Sequence, residues 1–191
     1  MRLARILATG LFQIALSVVP ALAQAPAVGL EGGMSMSRVS PDAAGQSISR
    51  GPGLLAGAYV LVPVFKTVGI QLEAVYAQKN SHLTSTTDLK LDYIEVPILA
   101  KLKLIKSAYM LEGVALGFPV RARIQPSTGA ETDIKSQVTS PDVAIVIGGG
   151  VPIQNFAIEG RYEGGFSNFS NVADAAAQRN RSLSLLVRVH F

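Results

Sequence analysis

Apolar and polar residues alternate along most of the chain. In the segment VGIQLEAVYA, every second residue from Val68 to Tyr76 falls on an apolar face, while Gln71 and Glu73 fall on the opposite face. A period of two is typical of strands with one apolar and one polar side. The pattern predicts eight strands, at residues 28–37, 54–62, 68–77, 93–104, 108–118, 142–151, 156–163 and 182–191.

Charged residues within these strands share the less apolar face. Glu95, Lys101 and Lys103 lie together on the fourth strand, opposite a run of aliphatic side chains. A soluble barrel would carry charges at most outward positions, and this chain has too few to coat such a surface. The placement of the charges on one face of each strand therefore predicts a barrel with its apolar face toward lipid and its polar face toward the lumen. The expected lumen charges are Glu31, Glu73, Glu95, Lys101, Lys103, Glu112, Asp142, Glu159, Arg161, Glu163 and Arg188.

The connections between the predicted strands alternate in length. Long links at 38–53, 78–92, 119–141 and 164–181 alternate with short links at 63–67, 105–107 and 152–155. The fold class expected is all-β: an eight-stranded antiparallel up-and-down transmembrane β-barrel with short periplasmic turns and long extracellular loops. The third long link alternates as well, with a turn at 126–129, which indicates a hairpin protruding beyond the membrane. Ten strands would result if that hairpin spanned the bilayer.

Composition limits the remaining possibilities. Charged residues make up 16% of the 191 residues and hydrophobic residues 49%, a balance that excludes a disordered chain. There is no cysteine, so disulfides and thiolate metal sites are excluded. Residues 1–23 have two arginines, a short apolar run and an Ala-Leu-Ala ending, as in a signal peptide. Its removal would leave residues 24–191 as one barrel domain with a net charge of +2, too small to indicate a nucleic-acid partner.

Candidate chemistry is sparse. A strand rather than a helix follows the glycines at 148–150, which disfavours a phosphate-binding loop, and Gly148 and Gly150 are expected to face a crowded lumen. The two histidines, His82 and His190, fall at opposite ends of the predicted barrel and cannot share a metal. A hydrolase site of His82, a nearby serine and Asp88 would lie within one loop, without a rigid support. We therefore expect no catalytic residues, cofactor or metal.

Several segments resemble the porin family of outer-membrane β-barrel domains, in particular its small eight-stranded OmpA/OmpX-like members. They are QLEAVYAQK at 71–79, LDYIEVPIL at 91–99, EGRY at 159–162 and the closing strand that ends in Phe191. The resemblance implies residence in the outer membrane of a Gram-negative bacterium. It also implies that Phe191 is the C-terminal aromatic residue read by the barrel-assembly machinery. Outer-membrane lipid and lipopolysaccharide would then be the partners of a barrel expected to be monomeric.

Three functions remain open at this point. Acidic and basic lumen residues brought this close must pair, which favours a closed, salt-bridged scaffold that presents its extracellular loops. The excess of acids over bases in the predicted lumen leaves a narrow, cation-preferring, porin-like channel as the alternative. A soluble periplasmic barrel that binds a lipid would require an apolar lumen, which is at odds with the charge parity.

Overall fold

The computed structural model describes residues 25–41, 49–105, 107–138, 140–166 and 178–191. It consists of strands and one 3-10 turn, and no helix in these ranges is long and apolar enough to cross a membrane. The predicted signal peptide, residues 1–23, lies outside the described part of the chain. The strands are β1 Ala27–Pro41, β2 Ser49–Pro63, β3 Val68–Gln78, β4 Ser81–Thr84, β5 Thr87–Ile105, β6 Ala108–Pro126, β7 Thr132–Asp133, β8 Asp142–Ile153, β9 Phe156–Gly165 and β10 Gln178–His190.

Eight of these strands close into an antiparallel barrel. Their order around the barrel is β1, β2, β3, β5, β6, β8, β9 and β10, and β10 pairs back onto β1 with Glu31 opposite Arg188. Closure pairs the edge strands, which a bilayer requires because hydrocarbon offers no hydrogen-bond partners. The prediction of an eight-stranded up-and-down barrel is confirmed. The ten-stranded alternative is wrong, because the only strand within 127–141 among the described residues is the two-residue β7, which pairs with β6 alone.

The strands reach further on the extracellular side than the sequence predicted. Most of the link at 78–92, predicted to be a loop, is strand: β4 pairs with both β2 and β5, and β5 begins at Thr87. In this stretch Leu89 and Leu91 point inward and are buried, while Lys90 points outward. The hairpin predicted around residues 126–129 is present, with β6 ending at Pro126 and Gly129 in the left-handed backbone region.

The outer surface changes character along β5 and β6. The outward residues of β5 from Ile94 to Leu104 are apolar and form part of an apolar band around the barrel. Nearer the extracellular end of the same strand, Lys90 faces outward. A bulge in β6 near Val120 moves Ala122 to the inside and leaves Arg121 outside. Above this level apolar side chains therefore face inward, as in a soluble protein. The reversal marks the extracellular edge of the membrane-spanning band.

The inside of the barrel contains three apolar clusters. One lies in the periplasmic half around Leu99 and Leu111, and another around Leu55 and Leu186. The third closes the extracellular end and comprises Val39, Leu89, Leu91, Tyr93, Ala122, Ile134 and Val138. Ile134 and Val138 flank the 3-10 turn Lys135–Gln137, so the β6–β8 connection folds back over the mouth of the barrel. We refer to this third group as the extracellular cluster.

Candidate functional site

Two arginines and three glutamates fill the middle of the lumen, and we call them the central ion layer. Arg161 donates two hydrogen bonds of 2.7 Å to the carboxylate of Glu73 and also pairs with Glu159. Arg188 lies 3.1 Å from Glu159 and 3.2 Å from Glu73. The Glu31 carboxylate lies 3.4 Å from Arg188 and 3.5 Å from Arg161. Because β3 and β9 lie on opposite sides of the barrel, the pair between Glu73 and Arg161 bridges its full width.

Strand register places these charges, and neutral residues add hydrogen bonds to two of the carboxylates. Glu31 and Arg188 are direct cross-strand partners on β1 and β10. Tyr109 donates a hydrogen bond of 2.8 Å to Glu159, and Gln71 donates one of 2.6 Å to Glu73. These bonds add to those that Glu73 and Glu159 accept from the arginines, whereas the buried Glu31 oxygens accept no hydrogen bond from the described residues and are held by the two guanidinium charges alone. The sequence pattern placed Gln71 on the lumen face without giving it a role, and it missed Tyr109, whose side of β6 was predicted to point outward.

Two smaller polar groups lie closer to the extracellular end. The Lys79 ammonium group lies 2.5 Å from Glu95 and 2.8 Å from Glu163, and all three side chains are buried. Asn180 donates a hydrogen bond of 2.8 Å to Asp142. Lys79 was missed because it falls just after β3, in a stretch predicted to be a loop. Its position directly after an alternating strand, at an inward parity, is the signal that would have found it.

Two glycines of β8 make room for the polar side chains. A Cβ atom at Gly150 would lie 2.5 Å from the Tyr109 hydroxyl oxygen, and one at Gly148 would lie 3.0 Å from Cγ of Arg161. Both glycines face the crowded lumen, as expected from the sequence. The glycine run thus serves packing of the central ion layer, and a strand follows it.

Glu112 does not belong to the lumen, and its predicted placement is wrong. On β6 the inward residues are Tyr109 and Leu111, which are buried in the periplasmic apolar cluster, so Glu112 points outward. Its cross-strand neighbours, Ala100 and Ile147, also belong to the outer face. Both faces of this strand are largely apolar, so hydrophobicity alone could not decide which face is inside.

Lys101 and Lys103 face the barrel axis but join no ion pair in the described part of the chain. The Lys101 ammonium lies 3.8 Å from the centre of the Tyr109 ring, a cation–π contact. Both lysines line a cavity at the periplasmic end, below the central ion layer. The predicted charges therefore divide into eight that form the polar layers, two in this cavity, and Glu112 on the outer face.

The two histidines are far apart, as predicted. His190 lines the periplasmic cavity, whereas His82 lies in β4 at the extracellular end, with Nδ1 2.7 Å from the Asp88 carboxylate. Paired strands hold this contact, in place of the unsupported loop expected from the sequence. The neighbouring Ser81 hydroxyl is buried and accepts a hydrogen bond from the Val39 amide. In the described ranges no three His, Cys, Asp or Glu side chains are grouped as a metal site would require.

The outer face completes the description of the barrel. Apolar side chains exposed on it come from all eight barrel strands and include Leu30, Leu54, Ile70, Ile98, Val114, Ile147, Ile158 and Leu185. A closed barrel with an apolar exterior and a charged interior defines a transmembrane β-barrel. A soluble lipid-binding barrel, with an apolar interior, is thereby ruled out.

The chain belongs to the family of outer membrane proteins with the outer membrane protein beta-barrel domain, whose family model matches residues 22–171. Among solved structures it is similar to Neisserial surface protein A (TM-score 0.61, 15% identity, covering 88% of this chain and 100% of that one). It is also similar to Ail, the attachment invasion locus protein of Yersinia pestis, solved with the heparin analogue sucrose octasulfate (TM-score 0.50, 15% identity, 88% and 100% covered). A search of curated protein sequences gives no match.

Proposed function

We propose that this outer-membrane barrel is a closed, rigid scaffold that presents its extracellular strand ends and loops to the medium. The observation that carries the proposal is the central ion layer. None of its five side chains is more than 3% exposed, so the layer occupies the cross-section of the lumen. An eight-stranded barrel is only wide enough for side chains to fill it. Ions would have to break several buried ion pairs to pass.

A second barrier supports the same proposal. The extracellular cluster covers the outer mouth, with Ile134 only 8% and Val138 only 4% exposed. An apolar constriction opposes the passage of hydrated ions because water inside it loses hydrogen bonds. Two barriers of different chemistry, one ionic and one apolar, therefore lie in series along the barrel axis.

The lipid phase provides the surroundings of the scaffold. The apolar outer face fits outer-membrane lipid, and outward-facing Arg121 and Arg181 above it suit the anionic groups of lipopolysaccharide. The proposal includes three further points. A signal peptide at residues 1–23 directs export, the protein resides in the outer membrane of a Gram-negative bacterium, and the barrel is monomeric. Phe191 donates its backbone amide to the carbonyl of Val28 at the periplasmic end, and its exposed ring suits recognition by the barrel-assembly machinery.

Conductance of the refolded barrel in a planar lipid bilayer tests the proposal. We expect the wild-type protein to insert without a steady current. Glu73→Ala removes the bidentate partner of Arg161 and should lower the free energy of unfolding by about 3 kcal/mol, because buried charges lose their partner. It should still carry no current. Glu131→Ala, which removes an exposed carboxylate paired with Arg123 in the extracellular hairpin, is the matched control.

A steady, cation-preferring current through the wild-type barrel would overturn the closed scaffold in favour of the narrow channel. The acids of the polar layers would then be the residues to substitute next. Insertion itself is monitored separately by the folded band on a gel run without heating, so that a failed insertion is not read as a closed lumen.

A further inference from the structure

A cavity of about 400 Å³ opens at the periplasmic end of the barrel. It ends inside the barrel at Arg188, Tyr59 and Tyr109, where the central ion layer begins. The Arg188 guanidinium stacks 3.8 Å from the centre of the Tyr59 ring, which keeps this floor closed. The volume of this cavity lies in the range of small-molecule sites.

The charges around this cavity are all of one sign. Lys66, Lys101 and Lys103 line it, together with Arg188 and His190, and no aspartate or glutamate is among the lining residues. Arg188 is committed to the central ion layer. The three lysines form no ion pair within the described ranges, and the adjoining central ion layer, with three carboxylates and two guanidinium groups, balances only one of their three positive charges.

Ammonium groups that line the same concave site raise the local potential and attract an anion. Part of the wall is apolar and is formed by Leu61, Phe65 and Ala157. A ligand that satisfies both parts carries an anionic head and a small apolar body. Three lysines supply more charge than a single carboxylate balances, and lysine is a common point-charge ligand of phosphate.

We propose that this periplasmic cavity binds an organic phosphate, with its phosphate group at Lys101 and Lys103 and its apolar part along Leu61 and Phe65. The phosphate could belong to a phospholipid headgroup of the inner leaflet, since the cavity opens at the membrane edge, or to a phosphorylated solute of the periplasm. Both sources offer the same chemistry to the lysines. The site lies on the periplasmic side of both barriers and does not depend on whether the barrel conducts.

Calorimetric titration of the refolded barrel in a non-ionic detergent with phenyl phosphate tests the site. Wild type should bind the probe, and benzyl alcohol, which lacks the charge, should not bind. The double variant Lys101→Met/Lys103→Met keeps the aliphatic stems and should weaken binding by about tenfold or more. Lys90→Met, on the same strand but at the extracellular end, is the matched control and should bind like wild type. Lys66→Met removes a charge from the exposed β2–β3 turn and tests the site without altering a strand.

Binding that is absent in wild type, or unchanged in the Lys101→Met/Lys103→Met variant, would overturn the proposal. The source of the phosphate is resolved by repeating the titration in bilayer nanodiscs of phosphatidylcholine with and without phosphatidylglycerol. Loss of phenyl phosphate binding when phosphatidylglycerol is present supports the lipid headgroup as occupant. Binding that persists supports a soluble phosphate.

Discussion

Glu112 shows how much one carboxylate can reveal about its surroundings. It lies on the outer face of β6 between Met110 and Val114, both of which are exposed on the same face. Its cross-strand neighbours Ala100 and Ile147 offer no hydrogen-bonding side chain. A carboxyl group in an apolar band facing lipid is unfavourable, although less so than a lysine or arginine would be.

Replacing this carboxyl group by a hydrocarbon side chain should stabilise the barrel. We expect Glu112→Leu to raise the free energy of unfolding in phosphatidylcholine vesicles by about 1 kcal/mol, since it removes a charge from the lipid-facing band. Urea titrations followed by circular dichroism measure the change, because the chain has no tryptophan whose fluorescence could report unfolding. Glu131→Leu, an exposed site in the extracellular hairpin, should show no such gain. A lower urea midpoint for Glu112→Leu would contradict this view of β6.

The same residue explains a limit of prediction from sequence. Strand parity distinguishes inside from outside only where the two faces differ, as in β3, where Gln71 and Glu73 oppose aliphatic residues. In β6 the inward face carries Tyr109 and Leu111, so both faces are apolar and a lone charge is assigned to the wrong one. Which face packs inward is determined by neighbouring strands, and that information is not local.

Several strands extend beyond the membrane on the extracellular side, and their inward side chains form part of the extracellular cluster. Ile134 and Val138 come from the connection after β7 and pack against residues of β1, β5 and β6. We expect Ile134→Ser/Val138→Ser to detach this connection, because each change exchanges buried hydrocarbon for a hydroxyl. Limited proteolysis should then cut within residues 127–141 sooner than in wild type, while the barrel stays folded. Ser136→Ala, on the exposed side of the same turn, should be cut no faster than wild type. If the double variant resisted proteolysis as well as wild type does, contacts other than those of Ile134 and Val138 would hold this connection in place.

Element positions were largely predictable, whereas element ends were not. Each of the eight predicted strands is present, because alternation over eight or more residues is a strong signal. The extensions of β5 and β6 were missed because the apolar side switches from outside to inside at the membrane edge. Lys79 was missed for a different reason: it lies just after β3 in a predicted loop, and so it was not considered as a partner of Glu95 and Glu163.

The whole molecule is a series of layers along one axis. From the extracellular end these are the extracellular cluster, the Asp142 and Lys79 groups, the central ion layer and the basic periplasmic cavity. Sequence parity placed eight of the layer charges on the inside, but their division into layers follows from the stagger between strands. Stagger is fixed by barrel closure, so it becomes visible only when β10 pairs with β1.

The free-energy cost of placing a charge on the outer face should depend on how far the site lies from the membrane midplane along the barrel axis. Ile98 and Leu102 both face outward from β5 and are 41% and 42% exposed, so they differ in depth rather than in exposure. Ile98 is flanked across the strands by Leu72 and Val114 within the apolar band, whereas Leu102 lies three residues from Ile105, the last residue of the strand. In water the two sites would tolerate arginine equally well.

In a bilayer the two sites should differ. Arginine at the midplane of a barrel costs about 2–4 kcal/mol and near the interface about 0–1 kcal/mol. Ile98→Arg should therefore unfold at a clearly lower urea concentration than wild type in phosphatidylcholine vesicles, and Leu102→Arg at nearly the wild-type concentration. Equal losses at the two positions would mean that the apolar face of β5 does not span the hydrocarbon from Ile94 downward, and the membrane edge assigned to the bulge near Val120 would have to move.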